Sequence, residues 1–338
     1  AALKLIRPHE YDDHLRLPGD IVVTHVDAGH ILGAALTLIQ IPYNGGDFLR
    51  IALAFDLGRR NLPLLNDPVQ LRDIDILICE STYGDRLHDN ALNAHEALRE
   101  SIVRALARGG KVLIPTFALG RSQEIIYHLI QLRERGLIPE VPVYVDSPMA
   151  HAISGVFEKH VAYLDNESQA LRNHLGSIVS PPWLTFTQSV DESKAITSSA
   201  QPAIVLAASG MCEHGRILHH LKHGIENERN LILLVGYQAL NTLGRRIQNG
   251  EKRVRVFGDE FDVKAEVQTL NAFSAHADRL ELLRYIRGAK PKHVFLVHGE
   301  PSQRAALAER VGRLPHTTVE LPANGDVVDL SSYLRPTA

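Results

Sequence analysis

Strand-sized aliphatic runs alternating with helix-length amphipathic stretches constrain this chain more than any other feature. Between 111 and 245, Val112-Leu113-Ile114, Val143-Tyr144-Val145, residues 203–207 and residues 231–235 each read as a strand. Helix-period stretches at 121–135, 150–160 and 216–225 separate them. A strand followed by a crossover helix and another strand returns in parallel, so this block is expected to build a parallel sheet of its own. The fold class is therefore α/β.

The flanking segments have a different grammar. Residues 21–24 read as a strand, and 36–41 with 48–54 read as a hairpin closed by Asn44-Gly45-Gly46. Residues 74–79 form a buried strand that ends on Glu80. A helix over 93–108 stops at Gly109-Gly110. Hairpin-like alternation returns over 254–270, and a helix at 279–286, a strand at 293–297 and a helix at 302–311 complete the chain. The expected organisation is one domain in two pieces, 1–110 and 246–338, interrupted by an inserted domain at 111–245.

Composition bounds the function classes. With 338 residues, 45% of them hydrophobic, the chain can bury a large core and fill two domains. A formal net charge of −3 excludes a generic polyanion binder, so any nucleic-acid contact requires a local basic groove. Two cysteines, Cys79 and Cys212, cannot form a disulfide framework and point to a reducing cytoplasm. No apolar run is long enough to span a bilayer. No Gly-x-Ser-x-Gly elbow is present, which disfavours a serine hydrolase.

The chemistry collects at strand ends. His30 lies in Ala28-Gly29-His30, Asp56 in Phe55-Asp56-Leu57-Gly58-Arg59, and Glu80 in Cys79-Glu80-Ser81-Thr82-Tyr83-Gly84-Asp85. His276 lies in Phe273-Ser274-Ala275-His276-Ala277-Asp278 and His298 in Val297-His298-Gly299-Glu300. Three histidines, an aspartate and a glutamate so placed are the inventory of a hydrolytic metal site with an acid/base pair beside it. Each has an ordinary alternative. His30 could bond loop backbone, Asp56 and Glu80 could cap turns, and His298 could be a polar strand end. Ser274 or Asp278 could simply start the helix at 279. His219 and His223 sit i, i+4 on a helix, and a plain helix face is preferred there over a metal site. Ser209-Gly210-Met211 ahead of that helix offers small residues and free N–H groups suited to a phosphate. Ser147 in Asp146-Ser147-Pro148 is expected on the same groove, with Arg216 and His220 on the helix itself. Arg245-Arg246 and Lys252-Arg253 read as solvated faces.

Taken together and in this order, these strings resemble the β-CASP branch of the metallo-β-lactamase superfamily, a group of nucleic-acid-processing enzymes. Ile114-Pro115-Thr116-Phe117-Ala118-Leu119-Gly120-Arg121, Ala208-Ser209-Gly210-Met211, Gly215-Arg216-Ile217-Leu218-His219-His220-Leu221 and Gly236-Tyr237-Gln238 extend the resemblance across almost the whole chain. It implies a metallo-β-lactamase αββα sandwich carrying an inserted β-CASP α/β domain, with substrate in the cleft between them. The superfamily's His-x-His-x-Asp-His string is absent here, so the expected sandwich is N-terminally incomplete. By resemblance, His30, Asp56 and His298 are metal ligands, Asp56 bridges two ions, and Glu80, His276 and Asp56 form the catalytic set. Ser147, Ser209, Gly210, Arg216 and His220 are then the expected substrate contacts. The implied cofactor is a pair of Zn²⁺ ions about 3.5–4 Å apart, with Mn²⁺ tolerated. The implied reaction is hydrolysis of phosphodiester bonds in single-stranded RNA. Ester or lactam hydrolysis on the same scaffold and a non-catalytic RNA-binding or assembly module are the alternatives. His214 departs from the small residue usual at its position. An incomplete sandwich would bare an apolar sheet face, so a homodimer is expected.

Overall fold

The structure is a computed structural model that describes residues 2–43, 46–88, 91–330 and 333. It divides into two compact units. Unit 1 comprises Ala1–Leu87 with Ala275–Ala338, and unit 2 comprises His88–Ser274.

Unit 1 is built on a mixed seven-stranded sheet. Strands β1 (His14–Leu17), β2 (Ile21–Asp27), β3 (Ala35–Tyr43) and β4 (Asp47–Ala54) form an antiparallel meander. β5 (Ile76–Cys79) then pairs in parallel with β4. In the expected hairpin Thr37 faces Leu53; Asn44 and Gly45 of its turn lie outside the described residues. In unit 2, α1 (Ala91–Ala107) is followed by alternating elements. These are β6 (Val112–Pro115), α2 (Arg121–Glu134), β7 (Val143–Asp146), α3 (Pro148–Lys159), α4 (Asn166–Leu175), β8 (Leu184–Phe186), α5 (Val190–Ser198), β9 (Ile204–Ala207), α6 (Ile217–Gly224), β10 (Leu231–Leu234) and α7 (Leu243–Gln248). The hairpin β11 (Arg253–Val256) and β12 (Asp259–Asp262) and the strand β13 (Glu266–Thr269) complete it. The chain then returns to unit 1 as α8 (Arg279–Ala289), β14 (His293–Leu296), α9 (Pro301–Val311) and β15 (Thr318–Glu320).

The six-stranded sheet of unit 2 runs β13-β10-β6-β9-β7-β8 and every pair in it is parallel. Every residue of β6, β9 and β10 is buried, as expected for strands covered by helices on both faces. The 254–270 stretch is not one hairpin. Only β11–β12 is, while Glu266 of β13 sits beside Leu231 of β10 and extends the parallel sheet. That pairing, and the packing of α1 within unit 2, make the compact unit 88–274 larger than the segment 111–245 expected for the inserted domain.

In unit 1, α8 and α9 cover one face of the sheet. Leu282, Tyr285 and Ile286 of α8 and Leu307 and Val311 of α9 pack on Val26, Leu36, Leu77, Val294 and Leu296. The other face carries Leu49, Ile51, Ile76 and Phe295, with half-buried Ile39, Ile41, Tyr43, Leu53 and Ile78 around them. Unit 1 thus shows one sheet with helices on one face. Among the described residues it holds no second sheet to complete the expected sandwich. No helix among them is long and apolar enough to cross a membrane.

Candidate active site

Three neighbouring parallel strands of unit 1 deliver the site. In the sheet, β5 lies between β4 and β14, with Cys79 paired to both Ala54 and Leu296. Asp56 follows β4 by two residues, Glu80 follows β5 directly and His298 follows β14 by two. Their side chains therefore leave the sheet from the same carboxyl edge, where ligands bind in α/β sheets. His30 comes from the loop after β2. His276 comes from the segment leading into α8, where Asp278 caps the helix by accepting from Leu280 N (2.8 Å) and Glu281 N (3.0 Å). The helix-start role expected of Asp278 is real; Ser274 does not share it.

Backbone bonds tie these loops together. Gly58 N donates to the Ala28 carbonyl (2.8 Å), Arg59 N to Ala275 (3.2 Å) and Ala277 N to Leu57 (2.8 Å), and Gly58 bridges His276. The approach at Gly58 is so close that an added Cβ would lie 1.9 Å from the Gly29 carbonyl oxygen. Gly58→Ala must therefore displace the backbone that carries His30. The expected cost is about 1–3 kcal/mol together with weakened metal binding. Denaturation and zinc titration of the variant check this.

Glu80 is buried, and its Oε1 accepts from Leu57 N (2.6 Å) and from His276 Nδ1 (2.9 Å). The carboxylate thus holds the proton of the His276 ring on Nδ1. The His276 ring lies 4.4 Å from that of His30 and 5.5 Å from that of His298, centroid to centroid. Burial, and then the neighbouring His276, push His30 down to about 4, so its imidazole is neutral at neutral pH. Its buried Nδ1 has no hydrogen-bond partner among the described residues. A neutral imidazole with an unpartnered ring nitrogen is what a cation requires.

His298 is held differently. Its Nδ1 lies 2.9 Å from the Phe55 carbonyl and 3.3 Å from Asp56 Oδ1. The bond to Asp56 raises it to about 9 against the opposing effect of burial, with the Phe55 carbonyl adding to the rise. The same bond lowers the Asp56 carboxyl.

One ligand atom each from His30, Asp56 and His276 lie within 4.8 Å of one another. The expected ligand set was His30, Asp56 and His298. The structure brings His276 close to the first two, while His298 is bonded to Asp56 and to the Phe55 carbonyl. Two imidazoles, one of them His30 with its orphaned buried Nδ1, and a carboxylate fit one Zn²⁺-type ion with open positions.

The five expected substrate contacts lie in unit 2 and have structural partners there. Ser147 caps α3 by accepting from Ala150 N (3.2 Å). Ser209 Oγ accepts from Glu213 N (3.1 Å), and Gly210 packs against Phe117. The helix expected at 216–225 begins at Ile217, with residues 212–216 between it and Met211, so Ser209-Gly210-Met211 do not form its N-terminus. Arg216 and His220 converge on Asp146, a buried carboxylate at the end of β7 that sequence reasoning did not select. Asp146 accepts from Arg216 (2.7 Å), His220 Nε2 (2.7 Å), Ser193 (2.5 Å) and Thr187. Its position at a strand end before Ser147-Pro148 was the available signal.

Comparison with known proteins agrees with the geometry. Residues 122–247 match the Beta-Casp domain family, and residues 260–322 match the Zn-dependent metallo-hydrolase RNA specificity domain. Ribonuclease TTHA0252 of Thermus thermophilus is 39% identical over 308 residues, covering 91% of this chain and 69% of that protein. Transcription termination factor FttA of Methanocaldococcus jannaschii is 33% identical over 337 residues, 95% of this chain and 52% of that protein. An RNase J-like protein of the same organism is 28% identical over 333 residues, 97% of this chain and 76% of that protein. The chain belongs to the β-CASP family of metallo-β-lactamase-type nucleases. It spans about half the length of the FttA relatives it matches.

Proposed function

We propose that this protein is a metal-dependent ribonuclease hydrolysing phosphodiester bonds in single-stranded RNA. The observation that carries this reading is the convergence of His30, Asp56 and His276, with Glu80 seated on His276. The names of the relatives and of the matched RNA specificity domain support RNA as substrate and zinc as metal.

His30 and Asp56 would hold the cation, with His276 as the third donor in reach. His298, bonded to Asp56, orients that carboxylate. A cation so held supplies Lewis acidity toward a phosphoryl oxygen. The chain's own contribution is proton control. Glu80 accepts the Nδ1–H of His276 and stabilises its imidazolium, and that protonated ring would supply the proton that the leaving ribose oxygen takes up; while it carries that proton it is not a metal donor. Mn²⁺ suits the same donors.

A test is metal content per chain together with cleavage of a labelled single-stranded RNA. About one zinc per chain and cleavage abolished by chelator are expected. RNA binding with no cleavage would reassign the chain as a binding module, and turnover of a small ester but not RNA would reassign the substrate. We further propose a cytoplasmic homodimer. The two cysteines are buried and unpaired, and the half-buried apolar face around Ile39, Ile41 and Ile78 is where a second copy would pack. A concentration-independent monomer in sedimentation would rule out the dimer.

A further inference from the structure

The acidic balance of the chain makes any groove without acids conspicuous, and unit 2 has one. A cavity of about 340 Å³ along α5 and α6 is lined by Lys194, Arg216, His219 and His223. A smaller hollow of about 100 Å³ shares Thr197 and His223 with it and adds Lys111 and Arg229. Among the described residues, no aspartate or glutamate lines either. Asp146 sits behind the groove, buried, against Arg216 and His220. Asp191 lies 3.9 Å from Lys194, but the two side chains are 96% and 76% exposed, so water screens the pair.

An aromatic stands at the same place. The ring of Phe257 lies 4.7 Å from that of His219, and Phe257 is 51% exposed at the tip of the β11–β12 hairpin. Both residues of this two-residue turn have positive φ, 53° at Phe257 and 86° at Gly258. Such a turn favours Asn-Gly, and a bulky side chain at its first position is strained. Phe257 therefore suits the turn poorly and lies outside the buried core, with its ring against His219. Basic side chains beside an exposed aromatic ring are the elements from which single-strand binding surfaces are made.

We propose that this groove is a second binding site for single-stranded RNA, separate from the residues of unit 1. Backbone phosphates run along α5 and α6, and one base stacks on Phe257 beside His219. The choice of RNA over other polyanions rests on the ribonuclease reading; the groove and its aromatic do not.

The test is binding of a labelled oligouridine about 20 nucleotides long to the full chain, by fluorescence anisotropy with chelator present. Phe257→Ala is expected to weaken binding about tenfold, and Phe257→Tyr to retain it. Lys194→Ala is expected to reduce the salt dependence by about one phosphate contact. Phe257→Asn relieves the turn and is expected to melt roughly 1–3 °C higher while binding as weakly as the alanine variant, which separates a binding role from a folding one. Wild-type affinity in the phenylalanine and lysine variants overturns the proposal, and so does competition by free uridine monophosphate as effective as that of the oligomer. Neither result touches the ribonuclease reading, which is decided by chelator-sensitive cleavage.

Discussion

Glu80→Gln is expected to lower RNA cleavage by about 10²–10⁴-fold while the protein stays folded. The amide keeps an oxygen to accept from Leu57 N, now 2.6 Å from Oε1, and so keeps the local backbone. What it loses is the negative charge that holds the proton on His276 Nδ1. Two roles for that charge give different results. If Glu80 served only to orient a metal-binding imidazole, the substitution would weaken metal affinity about 10–100-fold and saturating zinc would restore turnover. If Glu80 and His276 also handle the proton of the leaving group, the defect in kcat persists at saturating zinc with KM little changed. The second outcome is the expected one. Steady-state kinetics across a zinc series, with metal content measured in parallel, distinguishes them. Full turnover at saturating zinc would remove Glu80 from proton transfer.

The residues of this site were legible because strand-to-loop transitions in α/β proteins leave polar residues stranded beyond apolar runs. Ile76-Leu77-Ile78-Cys79 before Glu80 and Val294-Phe295-Leu296 before His298 are such transitions, and the structure aligns them on neighbouring strands. Which donors face one another was not legible. The placing of His276 beside His30 and of His298 against Asp56 comes from backbone bonds among the loops at 28, 57 and 275 and from the Phe55 carbonyl, contacts made between segments far apart in sequence.

The same limit appears in the fold. The buried strands β6, β9 and β10 could be read from hydrophobicity alone, but α4 and α5 could not. α4 is polar, with Ser168 its one buried residue, and its signals are the Asp165 cap and the left-handed Gly176 that ends it. α5 carries a capping box, Ser189 with Glu192, a sequence signature that hydrophobic periodicity passes over. β13 reads as part of a hairpin until its pairing with β10 is seen, because alternation does not say which sheet a strand joins.

Asp146→Ala is expected to destabilise the protein by about 3–5 kcal/mol at neutral pH. The wild-type carboxylate is buried and accepts from Arg216, His220, Ser193 and Thr187. Burial alone would push its pKa up. The bonds from His220, Ser193, Thr187 and Arg216 outweigh that and hold the carboxyl well below its ordinary value of 3.8. Removing it takes the acceptor from buried His220 and the counter-charge from Arg216, whose guanidinium is then held by Thr187 and the Gln188 carbonyl, and this costs more than the pair contributes. Because the folded carboxyl titrates below the unfolded one, its contribution is complete above about pH 5 and declines as the pH falls through 4 and below. Wild type and variant should therefore converge in thermal stability under acid and diverge toward pH 7. A gap under about 1 kcal/mol at pH 7 would mean that water replaces the carboxylate at no cost and that the cluster is not a structural anchor. The same substitution bears on the groove beside it. Asp146 pairs with Arg216, so a variant that still folds leaves that guanidinium on Thr187 and the Gln188 carbonyl without its counter-charge, and its affinity for single-stranded RNA should rise rather than fall. Weaker RNA binding by a folded Asp146→Ala protein would mean that the carboxylate positions Arg216 for a phosphate instead of restraining it.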